Sequence, residues 1–319
     1  MVKKWLCNRN RILTYMNFFS YLASYFDFDL KILPYCIGLS LDILILYPLL
    51  TYFKWHLLSR LGVTLKDKEV IFSSRKNNFN LAYFVNKYGD RNLRIADGLS
   101  RKLLHIFSGI WHLVFLNLVI QDTRIAWQAA FVKSLLIIAL CSLSYSSNKV
   151  FGLAGIMYGA TSRIRDGLDG RKNFFIAQLA FLNLYVLVFI EYIARKNISN
   201  EDNLIFFSFF IFLPLIIGDA LGEIIGTIWG KQKIRVWGVG QINRKSVLGT
   251  VSVFLGSLLP LLLVVSLNNL PAEWWLLCLS VAATTSTIEL IAPRSTDNFF
   301  IPVGNALVCL IFAVYVIHL

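Results

Sequence analysis

The densest group of chemically capable residues in this 319-residue sequence is GDALGEIIGTIWGKQK, residues 218–233. Asp219 and Glu223 are four apart, so both carboxylates leave one face of a helix, where they can share a divalent cation. Lys231, Lys233, Arg244 and Lys245 follow closely. Cations there neutralise phosphate oxygens, so the combination predicts a metal–phosphate site with Mg²⁺ on Asp219 and Glu223. Gly218, Gly222, Gly226 and Gly230 recur every four residues, a bare stripe along which a second backbone can approach. Pure helix packing, with the two acids paired to basic neighbours, is the competing explanation. GTIWGK is not a phosphate loop: three residues separate its glycines and no Ser or Thr follows the Lys.

Two further clusters carry ionisable groups at the ends of apolar runs. RKLLH places Arg101, Lys102 and His105 at the start of one; snorkelling for Lys102 and packing for His105 are the plain alternatives. ELIAPRSTDNFFIP brings Glu289, Asp297 and Asn298. Asn298 reads equally well as a helix start, whereas Glu289 sits inside an apolar stretch and needs a partner. Lys133, in the middle of another apolar run, needs one too, and Glu289 or another acid would serve. His112, seven residues beyond His105, is expected to pack or to meet a polar neighbour.

The elements that position these residues are hydrophobic to an unusual degree. Hydrophobic residues make up 57% of the chain and charged ones 15%, against about 45–50% and about 25% in soluble domains. That excludes a disordered chain, a disulfide scaffold and a nucleic-acid-binding domain, even though the net charge is +13. No nucleic acid is expected as a partner; membrane lipids are. The five cysteines are scattered, with no CxxC or Cys/His cluster, so neither disulfides nor zinc are indicated. Apolar runs near the ~20 residues needed to cross a bilayer predict an all-α, polytopic membrane bundle of eight to nine transmembrane helices.

The runs are Ile12–Phe26 (a retained anchor or interfacial helix), Leu33–Phe53, Leu103–Gln121, Ile125–Tyr145, Asn173–Ala194, Leu204–Gly230, Ser246–Ser266, Glu273–Ala292 and Phe299–His318. Val150–Thr161 is too short to cross and reads as a half-helix or a surface segment. Lys54–Lys102 is the longest polar stretch, with eleven Lys/Arg, and reads as a cytoplasmic loop. Alternating the spans puts the loops 162–172 and 231–245 on that same side, together with the candidate site. Asn197 begins a glycosylation sequon on the far side. Strand-type alternation is absent.

RKLLH, GDALGE…GKQK…NRKSVLG and E…PRSTDNFFIP occur in this order, and together they resemble the polyprenol, phytol and dolichol kinase family, related to the CDP-diacylglycerol synthases. The resemblance covers roughly residues 95–319. It divides the chain into N-terminal membrane segments with a basic loop (1–95) and a catalytic transmembrane domain (96–319). It implies a membrane kinase that moves the γ-phosphate of CTP, or another nucleotide, to a lipid alcohol with Mg²⁺. An isoprenoid such as phytol, farnesol, geranylgeraniol or dolichol is the expected acceptor. By the same match Asp219 is the leading catalytic or metal carboxylate, Lys245 and Ser246 contact nucleotide phosphates, Lys102 and His105 belong to the site, and Asp297–Asn298 is the family's DN element. A phosphatidate cytidylyltransferase or diacylglycerol kinase is the enzymatic alternative, and a transporter whose intramembrane acids carry ions is the non-enzymatic one.

Overall fold

The computed structural model describes residues 32–72, 80–120, 122–146, 152–162, 164, 204–236, 243–292 and 296–316. The Ile12–Phe26 run, the Asn173–Ala194 span and the Asn197 sequon lie outside these residues.

Ten helices and one short hairpin make up the described chain: α1 (Ile32–Arg60), α2 (Leu65–Phe72), α3 (Leu81–Tyr88), α4 (Asp90–Val114), α5 (Thr123–Ser146), α6 (Gly152–Thr161), α7 (Phe206–Ile228), β1 (Lys233–Val236), β2 (Asn243–Ser246), α8 (Val247–Leu267), α9 (Glu273–Ile291) and α10 (Asp297–Tyr315). Five of them, α1 and α7 to α10, are long and apolar enough to cross a membrane. Their surfaces are those of a membrane protein. On α8, Leu255, Leu259 and Leu263 point outward, while Gly249, Ser252, Gly256 and Ser257 point inward. Water would invert that arrangement; lipid, as apolar as leucine, leaves small residues free to make the close helix contacts.

A wider π-turn, Phe115–Val119, follows α4, and two of the long helices contain one with a proline nearby. In α1 the turn covers Asp42–Leu46, just before Pro48, and in α7 it runs from Pro214 to Asp219. Proline is not sufficient for such a turn, since Pro260 of α8 and Pro302 of α10 lie inside regular helix. Both turns contain an aspartate, Asp42 at the start of one and Asp219 at the end of the other, and both side chains are buried.

The glycine stripe on α7 packs against α8. A Cβ added at Gly218 would overlap Ser257 Oγ and lie 3.0 Å from the Val253 carbonyl; one at Gly226 would lie 3.2 Å from Gly249 Cα. α9 and α10 close over this pair. Trp274 fills the centre, with the rings of Phe207, Phe210 and Phe312 at 5.4, 5.4 and 5.5 Å. Asn305 of α10 accepts a hydrogen bond from Thr285 of α9 at 3.1 Å and donates to the Ile211 carbonyl of α7 at 3.2 Å.

Two expectations change here. The stretch Lys54–Lys102 is not a loop. Its first residues finish α1, and α2, α3 and the first half of α4 build a helical lobe around Leu58, Ile71, Phe84 and Leu93. Its charges are spaced along amphipathic helices, which a hydropathy reading alone scores as polar linker. Likewise Lys231–Lys245 is not simply a loop, because Lys233–Val236 pairs antiparallel with Asn243–Ser246, Ile234 opposite Lys245. Alternation over four residues is too short a signal to stand out in the sequence.

Within the lobe Asp67 is the central acceptor, taking bonds from Lys87 at 2.8 Å, Tyr83 at 3.3 Å and Tyr88. Burial works against its charge, but these donors more than offset it and lower its pKa from 3.8 to about 2. A depressed carboxylate stabilises the fold above its ordinary value and loses that contribution as pH falls through the folded value. The lobe should therefore lose hydrogen-exchange protection between about pH 4 and about pH 2, and Asp67→Asn should flatten that dependence. Gly218→Leu, for which there is no room against α8, should cost at least ~1–3 kcal/mol in detergent thermal unfolding. Gly98→Ala, whose Cβ would meet only Glu223 Oε1 at 4.0 Å, should change stability little.

Candidate functional site

α4 carries one polar stripe along its length: Arg94, Asp97, Arg101, His105, Ser108 and His112 recur at intervals of three or four. The middle of this stripe faces the end of the π-turn on α7. Lys102 Nζ bonds Asp219 Oδ2 and also lies 3.3 Å from Glu223 Oε2. Arg101 Nη2 bonds Glu223 Oε2. His105 Nε2 lies 3.1 Å from the Leu215 carbonyl, which only accepts, so this nitrogen carries the proton. Lys102 and Asp219 are each 3% exposed. Arg91 Nη2 bonds the Ile228 carbonyl at 2.8 Å, tying the start of α4 to the end of α7.

The orientation follows from α7 itself. Its glycines lie against α8, which leaves the face bearing Asp219 and Glu223 turned to α4. Packing stripe and carboxylate pair are thus two sides of one helix, and both carboxylates are paired to basic neighbours on α4, as the packing explanation expects.

A second pair closes the other flank. β2 delivers Lys245 to the mouth of α8, where its ammonium bonds Glu289 Oε1 on α9. Burial disfavours the Lys245 charge, but Glu289 more than compensates, so its pKa rises above the ordinary lysine value and it stays cationic. Asp297, in the first turn of α10, accepts the Asn298 N–H at 3.1 Å and stands within Coulomb range of both Arg101 and Lys245. Asp219 is in range of the same two cations.

The structure thus gathers Lys102, His105, Asp219, Glu223, Lys245 and Asp297 from four separate segments. Others in the expected set stand apart from these pairs. Ser246 is the N-cap of α8, its Oγ accepting the Gly249 N–H at 3.0 Å, so its oxygen serves the fold. Lys231 is exposed just before the hairpin, Lys233 is exposed on β1 opposite Ser246, and Arg244 is opposite Arg235 in the same register. Asn298 is half-buried next to Asp297.

Two members of the cluster were weighed in the sequence without being assigned a role. Arg101 is the partner of Glu223, and its Nε is buried without a hydrogen-bond partner. Glu289 is the partner of Lys245 rather than of Lys133. The lone Glu in an apolar run was the signal for it; only the fold could name the lysine.

Among the described residues no three His, Cys, Asp or Glu side chains come together as a metal cage. Mg²⁺ rarely requires one, since it is commonly bound through one or two carboxylates, waters and substrate phosphates. Asp219 and Glu223 fit that mode, and their charges are met in the structure by Lys102 and Arg101.

Comparison with known proteins finds no matching family, no matching curated protein and no matching solved structure.

Removing one partner of a fully buried pair leaves the other charge uncompensated. Asp219→Ala should thus lower stability by about 3–5 kcal/mol, and Glu223→Ala, at a more exposed pair, by about 1 kcal/mol. Thermal unfolding in detergent reads both.

Proposed function

We propose that this protein is a membrane kinase that transfers the γ-phosphate of CTP, or another nucleoside triphosphate, to a lipid alcohol, with an isoprenoid alcohol as the best-fitting acceptor. The observation that carries the reading is the convergence of RKLLH, GDALGE, the Lys245 hairpin, Glu289 and Asp297 at one place. These are the segments whose order resembles the polyprenol, phytol and dolichol kinases, and a phosphoryl-transfer site needs them together. In this reading the chain crosses the membrane eight or nine times, residues 96–319 form the catalytic part, and the site opens on the cytoplasmic face beside the basic lobe.

The chemistry asks for positioning and charge neutralisation more than for covalent participation. Arg101, Lys102 and Lys245 are three cations at the site, and on nucleotide binding they turn from their carboxylates to phosphate oxygens. The Arg101 Nε donor supports this exchange. Mg²⁺, held by Asp219 and Glu223 with the nucleotide's phosphate oxygens, would supply further neutralisation. The acceptor's hydroxyl oxygen attacks the γ-phosphorus as the bond to the β,γ-bridging oxygen breaks, releasing CDP. Asp219 accepts the hydroxyl proton. His105 is the weaker base, since its Nε2 proton is directed to Leu215. The lipid tail stays among the outward leucines, and its hydroxyl reaches the site laterally.

The test is an incubation of membranes holding the protein with γ-labelled CTP, Mg²⁺ and phytol, farnesol, geranylgeraniol, dolichol or diacylglycerol. The expected outcome is label in one isoprenoid alcohol, lost in Asp219→Ala, with at least a ~10²-fold drop in rate. Label in diacylglycerol would move the acceptor class. Pyrophosphate release with phosphatidate would make the protein a cytidylyltransferase. No transfer of label from CTP, nor from γ-labelled ATP or UTP put in its place, would contradict the kinase reading.

A further inference from the structure

The buried polar groups that this chemistry leaves unused lie on either side of the site, along the same stripe of α4. On one side Lys133 of α5, 1% exposed, donates to the Leu39 carbonyl at 2.6 Å, Asp42 Oδ1 at 2.6 Å and His112 Nε2 at 2.7 Å. An ammonium has three donors, and all three are used. Asp42 Oδ1 also accepts the Ile43 N–H at 2.8 Å, and Oδ2 accepts the Ser108 hydroxyl at 2.6 Å. His112 Nδ1 faces the Ser108 carbonyl, so that nitrogen carries the proton and Nε2 is the acceptor for Lys133. The network closes with one cation, one anion and a neutral imidazole; a proton added to His112 would face an ammonium. It is a fully satisfied joint of three helices.

On the other side Lys54 of α1, completely buried, is 2.9 Å from Asp97 Oδ1 on α4 and donates to the Ser162 carbonyl. Asp97 Oδ2 takes the Ile164 N–H at 2.7 Å. α1 therefore grips α4 twice, Asp42 at Ser108 and Lys54 at Asp97, with the two helices antiparallel. The grips are twelve positions apart on α1 and eleven on α4, which is about 18 Å and about 17 Å of helix. Arg101, Lys102 and His105 lie between them.

We infer that α1 is a strap that sets the axial register of α4, and that Asp42, Lys133 and Lys54 are positioning residues for Arg101 and Lys102. This assigns a role to a segment that the family resemblance does not reach. The geometric part stands alone; the kinetic part rests on the phosphoryl-transfer reading of the site.

The register is read by a disulfide. A Cβ on Gly109 of α4 would fall against the Ile216 side chain of α7, so G109C with I216C reports on how α4 meets α7, scored as the linked peptide by mass spectrometry. In this background K133M and K54M are expected to lower the disulfide yield several-fold. In the cysteine-unmodified protein they should lower kcat per folded molecule by up to about a hundred-fold while KM for CTP moves less than about two-fold. A merely destabilising change would reduce the folded amount and leave kcat per folded molecule alone.

If the single variants do not fold, two double variants decide. D42N/K133Q keeps the hydrogen-bonded contacts without either charge and should hold the register; D42L/K133M replaces them with apolar groups of similar size and should lose it. Folded K133M with full disulfide yield, or equal yields in the two doubles, would overturn the strap. Absence of phosphoryl transfer in the unmodified protein would count against the site's function, and the disulfide yields would still decide the strap.

Discussion

Everything around the site depends on one buried ion pair, Lys102 with Asp219, formed between helices whose paired residues are 117 positions apart in the chain. Taking two charges out of water costs several kcal/mol for each ion, and the attraction between them repays that only with good geometry and further hydrogen bonds. The molecule supplies both. The π-turn at Pro214 turns Asp219 toward α4, the glycines behind it let α7 lie close on α8, and Glu223 and Arg101 add a second pair at the edge. A buried pair of this kind is weak evidence for stability, which makes its presence more telling about the work of the site.

α4 is the element on which the polar interior is organised. Its stripe meets Lys54 of α1, then Glu223, Asp219 and Leu215 of α7, then Asp42 of α1 and Lys133 of α5, in that order along the helix. Apolar surface is turned outward over much of α1, α8, α9 and α10, and the charges are turned in and paired. In an apolar environment an unpaired charge or hydrogen-bonding group has no water to fall back on. Among the described residues the buried charges on α4 and its neighbours are paired, and those pairs hold helices far apart in sequence to one another.

Much of this was legible in the sequence because it depends on local pattern. The ends of α8, α9 and α10 fall within two or three residues of the apolar runs that announced them, and within the short 150–161 run Gly152–Thr161 is a ten-residue helix. That Lys133 and Glu289 each needed a partner followed from the cost of an isolated charge. Who those partners were did not, because hydropathy reports burial and says nothing about which faces meet. Lys133 found Asp42, an acid inside the Leu33–Phe53 run that drew no attention, and its inward turn depends on a π-turn that no periodicity reveals. Arg101 and Lys102 were visible as a basic doublet at the start of a helix; their division between Glu223 and Asp219 is set by the crossing of α4 and α7. The lobe of α2 and α3 was hidden for the opposite reason, since charge density there masked short amphipathic helices.

The central claim is that the RKLLH and GDALGE segments act as one unit through Lys102 and Asp219. A double-mutant cycle measures it directly. Thermal unfolding of the unmodified protein, Lys102→Met, Asp219→Asn and the double variant gives the interaction energy between the two side chains. Strong coupling, of about 0.5–3 kcal/mol with the double variant costing less than the two single losses together, is the predicted result. Additive losses would mean that the two residues do not meet, and the site built around them would fall with that result.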